Sequence, residues 1–309
     1  MFEALGGGEM GEQAALLALV QAADVHWHRV ADLVEQVGSA LRIVAGGWGY
    51  LDAGDAALAD ALHRGVSDDA VGRLAEACRD WVNGEVRLLT VLDEDYPLNL
   101  REVYNRPPFL FVCGRLEPRD SRAVAVVGSR QASACGRQQA RELAGGLAEQ
   151  GVTVVSGLAL GIDAAAHEGA LEAGGRTVAV LGAGIRQPVY PAENRQLAEQ
   201  ILTSGAHVSQ FWPDAPPTRW TFPMRNVVTS GMTLGTVVVE AHGRSGASLQ
   251  ARRCVEHGKR LFLVRSLVLG EEWAQRYAEQ PGVIVVDDVA QVLDTIDELV
   301  NPPAQLTLC

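Results

Sequence analysis

Residues 124–130 read Val-Ala-Val-Val-Gly-Ser-Arg, and residues 152–163 read Val-Thr-Val-Val-Ser-Gly-Leu-Ala-Leu-Gly-Ile-Asp. Each stretch is an apolar run that ends in a turn of glycine and serine, which is typical of a buried parallel strand that leads into a helix. The carboxyl ends of parallel strands meet at one edge of a sheet, where glycine lets backbone N–H groups approach an anion. The two stretches therefore predict a phosphate-binding edge. Their spacing does not match G-x-G-x-x-G, so they do not indicate an ordinary dinucleotide site.

Strands and helices alternate from residue 122 onward. The predicted strands cover 123–127, 152–155, 177–181, 206–210, 236–240, 261–264 and 283–286, and the predicted helices cover 136–150, 163–173, 192–203, 225–233, 247–257 and 288–299. This alternation predicts an α/β fold, an extended Rossmann-like parallel sheet with helices on both faces. Apolar residues recur at helical spacing between 12 and 80. We therefore predict a helical domain over 1–85, a Rossmann-like domain over 86–300 and a tail over 301–309.

The composition limits the class of protein. Hydrophobic residues make up 48% of the 309 residues, but no apolar run reaches the length of a membrane span, and residues 1–8 do not show the charged and then apolar pattern of a signal sequence. We expect a soluble, cytoplasmic protein that does not contact a membrane. The five cysteines are scattered without a C-x-x-C pair, which favours reduced thiols over disulfides or a zinc site. Nothing in the sequence indicates a cofactor.

The charge is distributed unevenly along the chain. The net charge is −12, yet residues 121–265 carry 15 Lys+Arg against 10 Asp+Glu, whereas the segments on either side are acidic. A cationic middle is what a phosphate-binding centre requires, and chance composition is the alternative. Lys259 is the one lysine of the sequence, so anion contacts fall mostly to arginine, whose planar fork suits phosphate.

The candidate binding residues share a position at, or just after, the carboxyl end of a predicted strand. They are Gly128, Ser129, Arg130, Ser156, Gly157, Gly161, Gly182, Arg225, Asn226, Arg244, Ser245 and Gly246. Open α/β sheets bind ligands at this edge. Each group also has an interpretation without a ligand. The glycines up to Gly182 fit plain strand-to-helix turns, Arg225 and Asn226 fit a solvated first helical turn, and residues 244–246 fit a surface loop.

Two further residues follow the second turn. Asp163 is predicted to be the N-cap of the next helix, and His167 either faces the site or is an exposed helical histidine. No Walker lysine, H-E-x-x-H motif, nucleophile elbow or acid–base pair of carboxylates is present in the sequence. The sequence therefore predicts a protein that holds phosphates and is not an enzyme. We expect alanine at Arg130 or Arg225 to weaken binding while the fold stays intact.

Seven short segments, in this order, resemble the DprA/Smf family. They are Tyr96-Pro97, Pro107-Pro108, residues 126–130, residues 156–163, Val189-Tyr-Pro-Ala-Glu-Asn-Arg195, Phe222-Pro-Met-Arg-Asn226, and Val239-Glu-Ala241 with Ser245-Gly246. The resemblance spans about residues 86–265. It implies an extended Rossmann-like domain that binds single-stranded DNA, forms a homodimer and loads a RecA-type recombinase during natural transformation. Carried over by motif, the DNA pocket is lined by Gly128, Ser129, Arg130, Ser156, Gly157, Arg225 and Asn226.

The sequence departs from that pattern in a way that fits a divergent paralogue. Residues 247–250 read Ala-Ser-Leu-Gln where Ser-Leu-Ile-Thr is usual, residues 263–266 read Leu-Val-Arg-Ser where a Val-Pro-Gly turn is expected, and the winged-helix domain of many relatives is not found. Two other functions therefore stay open. One is a sensor that binds a free nucleotide in the same pocket, and the other is a nucleotide phosphoribohydrolase, whose P-G-G-x-G-T-x-x-E motif residues 230–240 match only in part.

Overall fold

The structure is a computed structural model that describes residues 8–67, 69–82, 85–243 and 245–301. The chain forms two compact units. The helical unit comprises residues 1–96 and 104–112, and the sheet unit comprises residues 97–103 and 113–309. Residues 86–96 and 104–112 thus group with the helices, whereas the sequence predicted a boundary between residues 85 and 86. Most of the predicted tail, residues 302–309, lies outside the described residues.

The helical unit is built around an apolar first helix. Its elements are α1 (Glu9–Ala22), α2 (Trp27–Val37), α3 (Ala40–Val44), α4 (Ala53–Gly65), α5 (Ala70–Trp81), β1 (Val86–Thr90) and the first residues of β2 (Phe109–Gly114). The Gln13 side-chain amide of α1 donates a 2.9 Å hydrogen bond to the Leu88 carbonyl of β1, which ties the strand to the helices. The Trp27 ring packs 5.5 Å from Phe109, so it serves the core. Among the described residues, no group of His, Cys, Asp and Glu is placed to bind a metal ion.

The sheet unit contains seven of the described strands, and the predicted Rossmann-like α/β fold is confirmed. They are β3 (Ala123–Val127), β4 (Thr153–Ser156), β5 (Thr177–Val180), β6 (Ala206–Ser209), β7 (Gly235–Val238), β8 (Arg260–Val264) and β9 (Val283–Val286). They lie in the order β6-β5-β4-β3-β7-β8-β9, and each pair of neighbours is parallel. The chain runs outward from β3 in one direction as far as β6 and then returns to β7 on the other side of β3. The boundary between β3 and β7 is therefore the topological switch point, where open α/β sheets bind ligands.

Helices cover the sheet and bury its apolar side chains. They are α7 (Ala134–Glu149), α8 (Ile162–Glu172), α9 (Arg195–Leu202), α10 (Thr221–Gly231), α11 (Gly246–Glu256), α12 (Arg265–Gly270), α13 (Glu272–Ala278) and α14 (Val289–Val300), and the short α6 (Leu98–Arg101) precedes them. One core cluster includes Leu147 and Ile162 of α7 and α8, and another includes Leu267 and Trp273 of α12 and α13. The sequence did not predict α12 and α13. They are too short to show a helical period, and packing of Leu267 and Trp273 against the sheet stabilises them.

The last two strands of the sheet, β8 and β9, differ in their exposure. Strand β8 lies inside the sheet between β7 and β9, and its residues 261–264 are buried. Strand β9 pairs with β8 and is partly exposed. No described helix is both long enough and apolar enough to cross a membrane.

Candidate functional site

A cavity of about 720 Å³ opens at the switch point of the sheet unit. Residues of the turn after β3, of α10 and of the start of α11 line it. Seven of the predicted residues are among its lining: Gly128, Ser129, Arg130, Arg225, Asn226, Ser245 and Gly246. Its volume falls in the usual range for ligand sites. Arg244 lies outside the described residues.

Three arginines line this cavity in different environments. Arg130 is exposed, and its guanidinium carbon lies 4.9 Å from the centre of the Phe222 ring. Arg219 is also exposed, and its guanidinium carbon lies 4.7 Å from the centre of the Trp220 ring. Arg225 is buried, with 8% of its surface exposed. The cavity therefore combines positive charge with aromatic surface, which are the two features that hold single-stranded nucleic acid.

Arg225 is locked into the protein. Its Nη1 donates a 2.7 Å hydrogen bond to the Val180 carbonyl at the end of β5. Gly157 makes room for it, since a Cβ at that position would overlap the guanidinium. Burial lowers the pKa of Arg225, although the charge of Asp163 opposes that shift. Its Nε is buried and makes no hydrogen bond. Arg225 is thus a structural cation as well as a wall of the cavity.

The carboxylate of Asp163 occupies the backbone amides that the sequence assigned to a phosphate. The Gly157 N–H donates a 3.1 Å hydrogen bond to Asp163 Oδ2. Burial raises the pKa of Asp163, whereas Arg225 and the backbone groups of Ala159, Gly157 and Gly128 lower it. The N-cap prediction is wrong, because Gly161 is the N-cap of α8 and Asp163 lies in its first turn. These amides are engaged within the protein, so arginine must supply most of the contact to an anion.

A second carboxylate engages the start of α7. The Glu240 carboxylate accepts hydrogen bonds from the Ser133 backbone N–H at 3.0 Å and from Ser133 Oγ at 2.6 Å. Ser133 is the N-cap of α7, so the negative charge lies at the positive end of that helix dipole. Gly136 permits the approach, because a Cβ there would meet the carboxylate. Glu240 therefore stabilises a helix terminus and borders a separate cavity of about 260 Å³.

The remaining predicted glycines and serines shape the turns without lining the large cavity. Ser156 is fully buried and donates a 2.6 Å hydrogen bond to the Val126 carbonyl, which ties β4 to β3. Gly161 has a φ of +81° and packs against the Ser129 carbonyl, which excludes a side chain. A Cβ at Gly182 would lie 2.6 Å from Phe222 Cδ1, so this glycine makes room for the Phe222 ring. Gly157 borders a neighbouring recess of about 50 Å³.

The start of α11 contributes the other side of the cavity. Ser245 is its N-cap, and Ser245 Oγ accepts a hydrogen bond from the Ser248 N–H at 3.2 Å. Gln250 also lines the cavity, is 2% exposed, and has an amide group without a hydrogen-bond partner. Sequence reasoning missed Gln250, Arg219 and Phe222. Phe222 and its neighbours were quoted only as part of a motif, and no pattern in the sequence shows which side of α10 faces the cavity.

His167 does not belong to the site. It is fully buried in α8, and its Nδ1 lies 2.6 Å from Thr177 Oγ1. Burial, helped by His207 and Arg225, lowers the pKa of His167 to about 3. Both sequence interpretations, a site residue and an exposed histidine, are therefore wrong.

The family model of DNA recombination-mediator protein A matches residues 87–302. The chain belongs to this family. Over 212 residues it is 38% identical to Protein Smf of Escherichia coli K12, which covers 68% of this chain and 56% of that protein. Over 180 residues it is 38% identical to DNA processing protein DprA of Streptococcus pneumoniae R6, which covers 58% of this chain and 63% of that protein. The chain spans about half the length of the curated relatives that it matches.

Solved structures agree with the family assignment. The X-ray structure of DNA processing protein A from Streptococcus pneumoniae superposes with a TM-score of 0.72 at 28% identity, and covers 91% of this chain and 97% of that one. The Helicobacter pylori protein, described for its single-stranded DNA binding mode, superposes with a TM-score of 0.60 at 24% identity, and covers 68% of this chain and 95% of that one. The second likeness shows a shared fold. The family resemblance read from the sequence is confirmed.

Proposed function

We propose that this family member binds single-stranded DNA in the 720 Å³ cavity and passes the strand to a RecA-type recombinase. One observation carries the binding proposal. Arg130, Arg219 and Arg225 line a single cavity at the switch point, together with the aromatic ring of Phe222. Arginines attract the phosphate backbone without regard to sequence, and aromatic rings stack on bases that are free of a duplex.

The composition of the cavity favours a strand over a bare anion. Asp163 and Glu240 engage the backbone and helix positions where a small phosphate would otherwise bind. The exposed cations, Arg130 and Arg219, each lie over an aromatic ring. A ligand that offers phosphate and base together uses both parts of this arrangement, whereas inorganic phosphate uses only the charge.

The comparisons support a role in DNA processing. Two bacterial relatives carry that description in their names, and the Helicobacter pylori protein is described as binding single-stranded DNA. The description of the family model, a recombination mediator, supports the transfer of DNA to a recombinase. We propose in addition that the chain works as a homodimer in the cytoplasm and has no catalytic activity. The position of the Glu240 carboxylate at the start of α7, where it stabilises the helix, agrees with the absence of catalysis.

The binding proposal predicts a definite salt dependence. If Arg130, Arg219 and Arg225 each neutralise one phosphate, the logarithm of the affinity should fall with the logarithm of the salt concentration with a slope of about −2. Fluorescence anisotropy of labelled oligo-dT, titrated with the chain over a series of NaCl concentrations, measures this slope. An oligonucleotide that does not bind at low salt refutes the proposal. Tighter binding of a mononucleotide than of oligo-dT would instead support a nucleotide sensor.

The recombinase step and the absence of catalysis need separate tests. We expect the chain to accelerate recombinase assembly on a single strand already covered by a single-strand binding protein, and no acceleration would contradict the transfer step. Incubation with ATP, AMP, NAD or oligonucleotides should leave each compound intact on chromatography. A released base or ribose phosphate would support the phosphoribohydrolase alternative. Light scattering that gives the mass of one chain would contradict the homodimer.

A further inference from the structure

A small recess of about 50 Å³ adjoins the large cavity. The two share four lining residues: Arg130, Ala159, Phe222 and Arg225. The recess is bordered in addition by Tyr190 and Pro191. Its shared wall means that a strand in the large cavity can continue into the recess without leaving the protein surface.

Tyr190 offers the open aromatic surface at this position. Its side chain is 55% exposed, and its ring centre lies 6.0 Å from that of Phe222, at an interplanar angle of 46°. Phe222 is half-buried and is the more covered of the two rings, because Arg130 lies over it and Gly182 packs against its edge. A base that enters the recess therefore finds Tyr190 as the accessible ring.

The segment that carries Tyr190 is anchored to the site. Asn194, four residues further on, is buried, and its side-chain amide donates a 2.9 Å hydrogen bond to the Leu158 carbonyl. Leu158 lies in the turn after β4, whose neighbouring residues 159–160 form part of the recess. This bond anchors the segment that carries Tyr190 beside the recess, and an anchored segment loses less entropy when a ligand binds.

We propose that Tyr190 is a second base-binding position, on which one nucleobase of a single strand stacks while Arg130 holds the adjacent phosphate. The inference rests on the proposed DNA binding. It adds a position outside the large cavity and makes one base of the bound strand distinct from its neighbours. Stacking requires an aromatic face and tolerates any base, so the position selects unpaired strands over a duplex.

The test asks whether the Tyr190 side chain and one particular base of the strand form the same contact. Labelled oligo-dT is compared with oligonucleotides in which one thymidine at a time is replaced by an abasic residue, against the unaltered chain, Tyr190→Ala and Tyr190→Phe. We expect Tyr190→Ala to weaken oligo-dT about tenfold, or about 1.4 kcal/mol. At one position of the strand, the abasic residue should lower the affinity of the unaltered chain by a similar factor. The same abasic residue should lower the affinity of Tyr190→Ala little further. Tyr190→Phe should retain both the affinity and the sensitivity to that abasic residue.

The controls separate this inference from the proposed function. Tyr50→Ala removes another exposed tyrosine, 97% exposed and in the helical unit, and should leave affinity unchanged. If the unaltered chain fails to bind oligo-dT, the proposed function itself is refuted. A second outcome is that the unaltered chain binds oligo-dT while abasic residues lower the affinity of Tyr190→Ala as much as that of the unaltered chain at every position. That result refutes base stacking on Tyr190 and leaves the proposed DNA binding in place.

Discussion

Replacing Arg130 by alanine removes a cation from the cavity while disturbing few contacts within the protein. The side chain is exposed, and its one described packing partner is the Phe222 ring at 4.9 Å. An exposed cation–π contact is worth about 0.5–1 kcal/mol, which for a domain of this size lowers the melting temperature by only a few degrees. The loss of a charged hydrogen bond to phosphate costs about 1.5–3 kcal/mol of binding free energy. We therefore expect affinity for single-stranded DNA to fall by about 10-fold to 150-fold.

Anisotropy titrations over a series of salt concentrations measure both parts of this prediction. Arg130→Ala should reduce the magnitude of the salt slope by about 0.7, because one phosphate contact is lost. Arg276→Ala is the matched control, since it removes the same charge from α13, where Arg276 is 69% exposed and lies 3.8 Å from Glu272. Equal affinities and equal slopes for Arg130→Ala and the unaltered chain would refute the assignment of Arg130 to the DNA backbone.

Three further predictions concern Arg225, two buried histidines and Glu240. Arg225→Ala should lower the free energy of unfolding by about 3 kcal/mol in chemical denaturation, because it leaves Asp163 buried without its positive neighbour. Unchanged stability would contradict this prediction and would agree with the expectation from the sequence that the variant keeps its fold. Stability should fall as the pH drops from about 6.5 toward 4, because the pKa of His167 is lowered to about 3 and that of His207 to about 4, both mainly by burial. In this range the unfolded chain binds more protons than the folded chain, so the free energy of unfolding falls by at most about 1.4 kcal/mol per pH unit for each histidine. Denaturation curves measured at several pH values should show a smaller fall in stability for His207→Gln than for the unaltered chain. Glu240→Ala should cost about 1 kcal/mol of stability through α7 without changing oligo-dT affinity, and a loss of affinity at equal stability would place Glu240 in the binding site.

Local patterns were sufficient to predict most of the elements. The apolar runs at 123–127 and 283–286 match β3 and β9 as observed, because strands of a parallel sheet covered by helices consist of continuous apolar residues that end at turns. The helices α7 and α8 were predicted to within two residues at each end. The short α12 and α13 were not predicted, since their helical state depends on contacts with the sheet that their own sequences do not encode.

The candidate site was predicted in its location more than in its chemistry. Gly128 and Arg225 were predicted to share one edge of the sheet, and both line the cavity. The sequence nevertheless assigned phosphate to backbone amides that Asp163 engages, and it left Phe222 without a role. A carboxylate in the next helix is adjacent in sequence to those turns, but whether it folds back onto them depends on three-dimensional packing.

The amino-acid sequence by itself determined the family, the α/β class and the strands whose ends carry the candidate residues, because these follow from local periodicity and short motifs. Only the tertiary structure decided that β7 returns to lie beside β3, which brings the turn at Gly128 and the helix start at Ser245 to one cavity. It also decided that Arg225, in α10, is buried while Arg130, in the turn after β3, is exposed, although the sequence predicted both to line one site. Strand order and burial arise from contacts between residues far apart in the chain, and such contacts leave no periodic signal in either segment alone.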